Sequence, residues 1–381
     1  MGSKMKVMIV AGESSGDLYG ARLVEAVLSL SPQVEFYGIG GKEMERRGVN
    51  LLFSSSELSV VGITEVVEKM GHIWRAWREM KRFIMHHKPH LAILIDYPDF
   101  NLRLAKVLKD NAVPVLYYIS PQVWAWRPRR IKKIARRVDK MAVILPFEVP
   151  FYRKEGVDVE FVGHPLLDVL DGSLTREEAR RGLGVPAEAL LIGLLPGSRQ
   201  REVKVLLSPM LGAAKILHRG FSPCRFIIPL ASTLERDLVQ GYAEGSQLPL
   251  EVVEGRTFEV MKAADLLLIA SGTATLEGAL AGIPMVIIYR LSPISYLVGR
   301  ILVKVKCIGL ANIVVGRKVV PELIQGEVTP QRIAQEAEKI LREPARRQQI
   351  QGEFEFVKER LGGKGASQRV AQIALQMMGR A

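Results

Sequence analysis

The chain has 381 residues, of which 48% are hydrophobic and 24% are charged. This balance excludes an intrinsically disordered chain, and the length predicts two domains with separate hydrophobic cores. The formal net charge of +13 indicates an anionic partner, which could be a nucleic acid, an acidic membrane surface or a phosphorylated ligand.

The two cysteines, Cys224 and Cys307, are far apart in the chain, which excludes a disulfide framework and indicates free thiols in a reducing compartment. No secretory signal peptide is recognisable, since the apolar run at 5–11 is short and leads directly into a turn. The most apolar long stretch, 264–289, contains a carboxylate and a proline. A strand, a turn and a helix therefore explain it better than a membrane span.

In chain order, the first half alternates short apolar runs with amphipathic helical patterns. The runs, which are typical of buried strands, lie at residues 5–11, 34–38, 91–96, 113–118 and 140–144. Such alternation predicts a parallel sheet with helices on both faces.

The alternation pauses near 163–189, where Gly163-His164-Pro165 precedes a charged stretch, and we place an inter-domain linker near 165–175. His164 is interpreted as a hinge residue rather than a catalyst. Apolar runs then resume at residues 190–195, 225–230, 250–253, 266–269 and 284–289. The sequence therefore predicts two doubly wound Rossmann-like halves with a cleft between them, and ligands in such sheets bind beyond the carboxyl ends of the strands.

The sharpest motif is a run of small residues between a strand and a helix. After the strand at 265–269, residues 270–275 read Ala-Ser-Gly-Thr-Ala-Thr, and a helix begins near Thr275. Small side chains let a ligand approach the backbone, and the amides and dipole at a helix start favour an anion. We predict that this turn binds a diphosphate and that Glu277 accepts hydrogen bonds from ribose hydroxyls. An ordinary capped turn is the alternative.

A second turn of this kind follows the first strand of the second half, where residues 194–199 read Leu-Leu-Pro-Gly-Ser-Arg. Arg199 would add a planar guanidinium that matches phosphate oxygens. A plain turn into a helix is the alternative, but two phosphate-compatible turns in one half favour a nucleotide site.

Polar turns also end two strands of the first half. Residues 11–17 read Ala-Gly-Glu-Ser-Ser-Gly-Asp, and their carboxylates suit sugar hydroxyls better than phosphate, although Ser15 or Asp17 could instead cap the following helix. Asp96 and Asp99 directly follow another strand, and one of them is a candidate general base. The alternative is that one of these two carboxylates caps the next helix.

A further strand ends at residues 120–127, which read Ser-Pro-Gln-Val-Trp-Ala-Trp-Arg. Aromatic rings beside an amide and a guanidinium are typical of a sugar site. Packing of the rings under a loop is the alternative.

The stretch 71–87 has the pattern of an amphipathic helix. Four apolar residues share one face and four basic residues lie mostly off it, namely Ile73, Trp77, Met80 and Ile84 against Arg75, Arg78, Lys81 and Arg82. We predict a membrane-surface helix with Trp74 at its edge, in which Trp77, Arg78 and Lys81 also contact the membrane. A core helix with a solvated basic face is the alternative. Residues 127–140 carry eight basic side chains, which indicate either a solvated helix face or an anionic-lipid patch.

Taken together, these segments resemble the lipid-A-disaccharide synthase family. In the first half the resemblance rests on 11–17, Gly-Ile-Gly-Gly at 38–41, Val-Val-Gly-Ile-Thr-Glu-Val at 60–66, Asp-Tyr-Pro-Asp-Phe-Asn at 96–101, 120–127 and Leu-Pro-Phe-Glu at 145–148. The second half adds Val-Gly-His-Pro-Leu at 162–166, Leu-Pro-Gly-Ser-Arg at 195–199, Ala-Ser-Gly-Thr-Ala-Thr-Leu-Glu at 270–277 and Ala-Asn-Ile at 311–313. The segment at 120–126 is the most specific match, since the small-residue turn occurs in many UDP-sugar enzymes.

The resemblance implies an α/β fold of the GT-B type, with two doubly wound Rossmann-like domains facing a cleft. Residues 1–168 would bind the acceptor and carry the membrane-facing helix, and residues 169–365 would bind the UDP-sugar. In many such enzymes a last helix, here 366–381, crosses back to the first domain. The protein would be cytoplasmic and peripheral on the cytoplasmic face of the inner membrane. Its oligomeric state stays open, with a homodimer as one alternative.

The implied reaction joins UDP-2,3-diacylglucosamine to 2,3-diacylglucosamine 1-phosphate, giving the β-1,6-linked disaccharide 1-phosphate and UDP with inversion and without a metal or another cofactor. By match to the family pattern, Asp99 is the general base, Glu13 is the second candidate and Ser15 touches donor or acceptor. The implied UDP contacts are Arg199, Ser271, Gly272, Thr273, Ala274, Thr275, Glu277 and Asn312. Contacts with the two sugars are assigned to Gly12, Asp96, Gln122 and Trp124.

Other interpretations stay open at this point. A UDP-sugar 2-epimerase of the same fold, or the related muramyl glycosyltransferase, is the nearest alternative. Gly163-His164-Pro165 and the small-residue turn suit the epimerase, which would need further acid–base carboxylates and no lipid surface. A membrane-surface scaffold without catalysis is another alternative. A nucleic-acid binder is indicated by charge alone, and since no RNA or DNA module is recognisable, we expect no nucleic-acid partner.

Overall fold

The computed structural model describes residues 5–57, 66–121, 123, 130–170, 172–231, 233–291 and 307–379. The chain divides into two compact units. Unit 1 comprises Met1–Val169 together with Leu361–Ala381, and unit 2 comprises Leu170–Arg360.

The strands of the described residues are β1 (Met5–Ala11), β2 (Val34–Gly40), β3 (Asn50–Ser54), β4 (Leu91–Ile95), β5 (Val115–Tyr118), β6 (Lys140–Val143), β7 (Val159–Phe161), β8 (Leu190–Leu195), β9 (Cys224–Leu230), β10 (Leu250–Glu254), β11 (Leu266–Ala270), β12 (Met285–Tyr289) and β13 (Glu322–Ile324). All of their pairings are parallel. Parallel strands need crossover connections, which explains the helices between them.

The helices are α1 (Ser14–Leu30), α2 (Lys42–Arg46), α3 (Val66–His87), α4 (Pro98–Asp110), α5 (Ile131–Ala135), α6 (Glu148–Arg153), α7 (Leu166–Val169), α8 (Arg176–Gly182), α9 (Gln200–Gly220), α10 (Arg236–Glu244), α11 (Thr257–Ala263), α12 (Ala274–Leu280), α13 (Leu310–Val315), α14 (Pro330–Arg342), α15 (Pro344–Arg360) and α16 (Ala366–Met378). None of the described helices combines the length and hydrophobicity needed to cross a bilayer.

Unit 1 contains a sheet with the strand order β3-β2-β1-β4-β5-β6-β7. The segments Val7–Ala11 of β1 and Leu91–Ile95 of β4 are completely buried. Continuous apolar runs of this kind are expected for parallel strands covered on both faces. On one face α1 packs against α16, so the C-terminal helix forms part of the core of unit 1.

Unit 2 contains a sheet with the strand order β10-β9-β8-β11-β12-β13. In each sheet the order reverses once, between β1 and β4 in unit 1 and between β8 and β11 in unit 2. Ligands of doubly wound sheets bind at such reversal points, beyond the carboxyl ends of the strands. Each unit therefore offers one expected ligand position.

Candidate active site

Unit 1 places two acidic turns side by side. β1 leads through Glu13 into α1, and the neighbouring β4 leads through Asp96 into α4. Ala11 pairs with Ile95 in the sheet register, so the two turns begin at the same level of the sheet edge. They flank the point where the strand order reverses.

The turn after β4 has an unusual backbone. Asp96 and Tyr97 adopt left-handed conformations with φ angles of 43° and 45°, a region that residues other than glycine rarely occupy. Two side chains hold it: Asn101 Nδ2 donates to the Asp96 carbonyl at 2.8 Å, and the Tyr117 hydroxyl donates to the same oxygen. Backbone strain maintained by specific partners is common at functional sites.

Gly12 makes room for the ring of Tyr97. A β-carbon at Gly12 would overlap the Tyr97 ring, so a larger residue at this position would displace the turn after β4. The sugar contact expected of Gly12 stays a prediction. Tyr97, which packs across the two acidic turns, was missed by sequence reasoning because nothing in its local pattern distinguishes it.

Asp96 is the most perturbed carboxyl group of these turns. Burial raises its pKa from 3.8 to about 7, and the charge of Glu13 acts in the same direction, while a hydrogen bond from the Tyr97 amide opposes both. Near neutral pH the group is divided between its two protonation states, so it can donate or accept a hydrogen bond. Shifts of this kind are enriched at functional sites.

Asp99 differs from Asp96 in being exposed. It lies in the first turn of α4, 74% of its side chain is accessible, and its Oδ1 accepts a hydrogen bond from Arg130 Nη2 at 2.6 Å. The ion pair fixes one carboxylate oxygen while the group stays open to a substrate. Neither aspartate caps α4, because Tyr97 occupies the N-cap position. Sequence reasoning missed Arg130 as the partner, since 31 positions separate it from Asp99.

Neither Ser15 nor Asp17 caps α1, because the helix begins one residue after Glu13, which holds the N-cap position. Asp17 is buried, and its carboxylate accepts three amide hydrogen bonds from residues 41–44 at 2.7 to 3.1 Å. Asp17 therefore fixes the start of α2. Ser15 is partly buried in the first turn of α1, and its contact with a sugar stays a prediction.

In unit 2, the two phosphate-compatible turns also follow neighbouring strands. β8 ends at Leu195 ahead of Arg199, and β11 ends at Ala270 ahead of Ser271. The two strands are paired, with Ile269 opposite Leu195. The turns thus meet at one edge of the sheet, at its reversal point.

The turn after β11 uses its hydroxyl groups internally. Ser271 Oγ donates to the Ile308 carbonyl at 3.0 Å, and Thr275 Oγ1 donates to the Gly272 carbonyl at 2.8 Å. Within the described part of the chain, no acceptor pairs with the amides of residues 272–274. The backbone of this turn, rather than its hydroxyl groups, therefore remains for an anionic ligand.

Arg199 occupies the N-cap position of α9, and 60% of its side chain is exposed. Glu202 anchors the turn: its Oε2 accepts from the amides of Ser198 and Arg199 at 3.1 and 3.3 Å, and its Oε1 lies 3.6 Å from Arg199 Nη1. Gly197 has a φ of 111°, which favours glycine. The result is an accessible guanidinium at the carboxyl end of β8.

Tyr289, the last residue of β12, belongs to the same edge. Burial raises the pKa of its hydroxyl, the charge of Glu202 adds to this effect, and Arg199 opposes it. Tyr289 is therefore electrostatically coupled to the Arg199 turn. The sequence pattern does not predict this, since Tyr289 resembles the last residue of any buried strand.

Glu277 and Asn312 follow the turn after β11 in the sequence, Glu277 in α12 and Asn312 in α13. Burial raises the pKa of the Glu277 carboxyl, and its ribose contact stays a prediction. Asn312 is completely buried: its Oδ1 accepts from the amides of Val319 and Val320, and its Nδ2 donates to the Val320 carbonyl and to Glu322 Oε1, all at 2.8 to 3.1 Å. The side-chain amide of Asn312 is thus saturated inside unit 2, and the predicted contact of this residue with UDP stays a prediction.

The apolar stripe of α3 packs on the core of unit 1. Met80 and Ile84 are completely buried, and the Trp77 ring packs edge-on against Phe100 at a centroid distance of 5.8 Å. The partly buried Trp77 ring therefore packs as the core alternative expects, and its contact with a membrane stays a prediction.

The opposite face of α3 is exposed and basic. Trp74 is 58% exposed, the Arg78 guanidinium lies 4.5 Å from the centroid of its ring, and Lys81 is also exposed. An exposed tryptophan flanked by cations is typical of a helix that lies in a lipid headgroup region. Trp74, Arg78 and Lys81 thus remain membrane candidates.

Some predicted residues lie outside the described ones, namely Gln122, Trp124, Trp126 and most of 60–66. Their roles stay predictions. Among the residues that are described, no group of three or more His, Cys, Asp or Glu side chains is placed to hold a metal ion.

Solved structures share this architecture. The UDP-GlcNAc 2-epimerase from Neisseria meningitidis, in a structure bound to UDP-GlcNAc, superposes with a TM-score of 0.68 at 10% identity, covering 98% of this chain and 100% of that chain. The calicheamicin glycosyltransferase superposes with a TM-score of 0.62 at 13% identity, covering 99% of each chain. Two wound parallel sheets of this kind place the chain in the class of GT-B-type folds.

The sequence narrows this class to one family. The sequence model described as Lipid-A-disaccharide synthetase matches residues 7–377. The lipid-A-disaccharide synthase of Syntrophus aciditrophicus (strain SB) is 48% identical over 379 residues, which cover 99% of both chains. That of Geobacter metallireducens is 49% identical over 375 residues, which cover 98% of both chains. The chain belongs to this family, which confirms the resemblance seen in its motifs. It is a hexosyltransferase of lipid A biosynthesis that forms the lipid A disaccharide.

Proposed function

We propose that the chain transfers the sugar of UDP-2,3-diacylglucosamine to the 6-hydroxyl of 2,3-diacylglucosamine 1-phosphate, with inversion at the anomeric carbon. The products are the β-1,6-linked disaccharide 1-phosphate and UDP. The observation that carries this proposal is the accessible Asp99 carboxylate at the carboxyl edge of the unit 1 sheet, in a chain whose family forms this disaccharide.

Asp99 takes the proton of the acceptor hydroxyl as its oxygen attacks the anomeric carbon. Arg130, which holds Asp99 Oδ1 at 2.6 Å, orients the carboxylate so that the other oxygen can face the hydroxyl. A positioned base of this kind contributes about 100-fold to 10,000-fold in rate. Glu13 and Asp96, with their coupled carboxyl groups, are proposed to bind sugar hydroxyls beside it.

The leaving UDP gathers negative charge as the glycosidic bond breaks. Among the described residues of unit 2, the amides of residues 272–274, which have no acceptor there, and the exposed guanidinium of Arg199 can stabilise it. Donors that are already oriented toward developing charge need little reorganisation during the reaction. Glu277 is proposed to bind the ribose.

The substrates carry acyl chains, so the protein has to meet a lipid surface. The exposed Trp74 with Arg78 stacked on its ring, and the neighbouring Lys81, form a basic aromatic face on α3. Basic side chains near an anionic surface contribute about 1 kcal/mol each. We place the protein, in the cytoplasm, peripherally on the inner membrane through this face.

The test is to incubate the purified protein with both proposed substrates in mixed micelles and to quantify UDP and disaccharide. One UDP per disaccharide and a β-configured linkage by NMR are expected. Release of UDP without disaccharide, or an α-linkage, would contradict the proposal. A parallel incubation with UDP-GlcNAc alone separates the epimerase alternative, which predicts the 2-epimer and no disaccharide.

A further inference from the structure

A buried carboxylate is connected to the turn after β11 through the backbone of residues 308 and 309. Glu322, the first residue of β13, is only 4% exposed. Its carboxylate accepts hydrogen bonds from the amides of Ile308 and Gly309 at 2.9 to 3.2 Å and from Asn312 Nδ2 at 2.8 Å. A buried carboxylate is costly unless its oxygens are hydrogen-bonded, and here they receive several donors.

The backbone that Glu322 holds is the same backbone that fixes the turn. The Ile308 carbonyl accepts from Ser271 Oγ at 3.0 Å, and the Leu310 amide donates to Thr275 Oγ1 at 3.2 Å. Residues 308–310 therefore connect the Glu322 carboxylate to both hydroxyl groups of the turn. Gly309 fits tightly here, since a β-carbon on it would overlap Ile287 of β12.

This connection determines which groups of the turn face a ligand. With the hydroxyl groups of Ser271 and Thr275 tied to residues 308–310 and to Gly272, the amides of residues 272–274 are left unpaired within the described chain. Releasing 308–310 would free the hydroxyl groups to compete for those amides and would let the turn change shape. A preorganised anion site depends on preventing such rearrangement.

We propose that Glu322 is a positioning residue for nucleotide binding. It acts through residues 308–310 on the turn at 271–275, and Asn312 helps by holding Glu322 Oε1 from the other side. This inference rests on the proposed function, because it assumes that the turn binds the diphosphate of UDP. It also gives the saturated Asn312 side chain a role that requires no contact with the nucleotide.

The chain offers a matched control in Asp265. Asp265 directly precedes β11, and its carboxylate accepts a hydrogen bond from the Leu191 amide at 2.8 Å. It also forms ion pairs with Arg176 and Arg180. It thus resembles Glu322 as a largely buried carboxylate of the same unit, but it lies at the amino end of β11, at the edge opposite to the turn.

The experiment compares Glu322→Gln with Asp265→Asn in the full chain, by titrating UDP in a calorimeter and by measuring thermal midpoints. Glu322→Gln keeps the shape but loses an acceptor, so we expect the Kd for UDP to rise about tenfold, the value of one charge-assisted hydrogen bond. Asp265→Asn should lower the thermal midpoint at least as much, yet leave the Kd for UDP within about twofold.

Steady-state kinetics give a second readout that a loss of stability alone would not move. Glu322→Gln should raise the KM for the donor about tenfold, with the KM for the acceptor unchanged. Thr275→Val provides an independent variant, because it removes the acceptor of the Leu310 amide at a buried position and keeps the side-chain shape. It should weaken UDP in the same direction, and it decides the question if Glu322→Gln does not fold.

Unchanged UDP affinity in Glu322→Gln, or in Thr275→Val where the first variant does not fold, would overturn the inference. Equal losses of affinity in Glu322→Gln and Asp265→Asn would overturn it too, because they would indicate a general effect of stability. A wild-type chain that binds UDP but makes no disaccharide would contradict the proposed function alone. A wild-type chain that does not bind UDP would overturn both.

Discussion

Asp96 and Asp99 are three residues apart in the sequence, and their surroundings give them different chemistry. Asp96 is held in a left-handed turn, and burial raises its pKa to about 7. Asp99 points into solvent and shares one oxygen with Arg130. A carboxylate that takes a proton during turnover needs access and a fixed orientation. Asp99 is the more exposed of the two, and Arg130 fixes one of its oxygens.

Asp99→Asn should lower kcat by at least about 100-fold, because the variant cannot accept a proton. The Kd for UDP should not change, since the groups proposed to bind the nucleotide lie in unit 2. The matched control is Asp110→Asn at the other end of α4, which is also exposed and should have full activity. Normal turnover by Asp99→Asn would show that another carboxylate, with Glu13 first, is the base.

Asp96 predicts a pH dependence of acceptor binding. With its pKa near 7, Asp96 is mostly protonated at about pH 6 and mostly ionised at about pH 8. Ionisation adds a negative charge beside Glu13, which disfavours a phosphorylated acceptor, so the KM for the acceptor should rise across this interval.

Asp96→Asn stays neutral throughout and should flatten this rise in KM. The measurement is the KM for the acceptor from about pH 5.5 to about pH 8.5 in the wild type, Asp96→Asn and Asp110→Asn. An Asp96→Asn variant with the slope of the wild type would assign the titration to a different group.

At the scale of elements, α3 separates into a core face and an exposed face. Trp77 packs against Phe100, whereas Trp74 is 58% exposed beneath Arg78. We expect Trp74→Ser combined with Arg78→Gln to lower partitioning onto anionic vesicles about tenfold. The free energy of unfolding should change by less than about 0.5 kcal/mol, as is usual for surface substitutions.

Trp77→Ala serves as the reciprocal control for α3. It removes a partly buried ring from the core and should cost about 2 kcal/mol of stability, while the folded variant should bind vesicles like the wild type. Vesicle sedimentation and urea unfolding of the two variants provide the comparison. Membrane binding that depends on Trp77 and not on Trp74 would refute this division of the helix.

The sequence predicts elements well where burial determines them. The strands β1, β4, β8 and β11 are apolar runs that are buried in the sheets. Their positions follow from the hydrophobicity pattern along the sequence. The patterns do not predict β3, β7 and β13, which are short strands with mixed burial. Such strands are defined by their neighbours in the sheet, and local sequence contains little of that information.

The candidate site was predictable in location but not in detail. Small-residue and acidic turns after strands indicated both sheet edges, because ligands bind there in doubly wound folds. The left-handed backbone at Asp96 could not be predicted, since it depends on Tyr117 of β5 as well as on the nearby Asn101. The saturation of Asn312 and the Asp99–Arg130 pair likewise arise only from tertiary contacts.

At the scale of the whole molecule, His164 connects the two chain segments that build unit 1. Its amide donates to the Leu361 carbonyl at 2.9 Å, its Nδ1 accepts from the Leu166 amide at 3.2 Å, and its ring packs edge-on against Tyr19. Burial lowers its pKa from 6.5 to about 3. His164 is therefore neutral in the folded protein at physiological pH.

This shift predicts acid sensitivity of unit 1. The unfolded chain binds a proton at His164 below about pH 6.5 and the folded chain does not, so the free energy of unfolding falls by up to about 1.4 kcal/mol per pH unit between about pH 6.5 and about pH 3. Urea unfolding of the wild type and His164→Asn at pH 7 and pH 5 measures it. The wild type should lose about 2 kcal/mol more than the variant, and equal losses would assign the effect to other groups.

Unit 1 is completed by α16, which packs on α1, and all of unit 2 lies between these two helices in the sequence. Val370, Ala371 and Ala374 of α16 are completely buried in this packing. During synthesis at about 5–20 residues per second, the ribosome needs roughly ten to forty seconds to pass from Val169 to Leu361. Unit 2 is contiguous and can finish folding in that interval. The unit whose synthesis starts first is therefore completed last, and until α16 has been made the apolar face of α1 that it covers is open to chaperones and to other nascent chains.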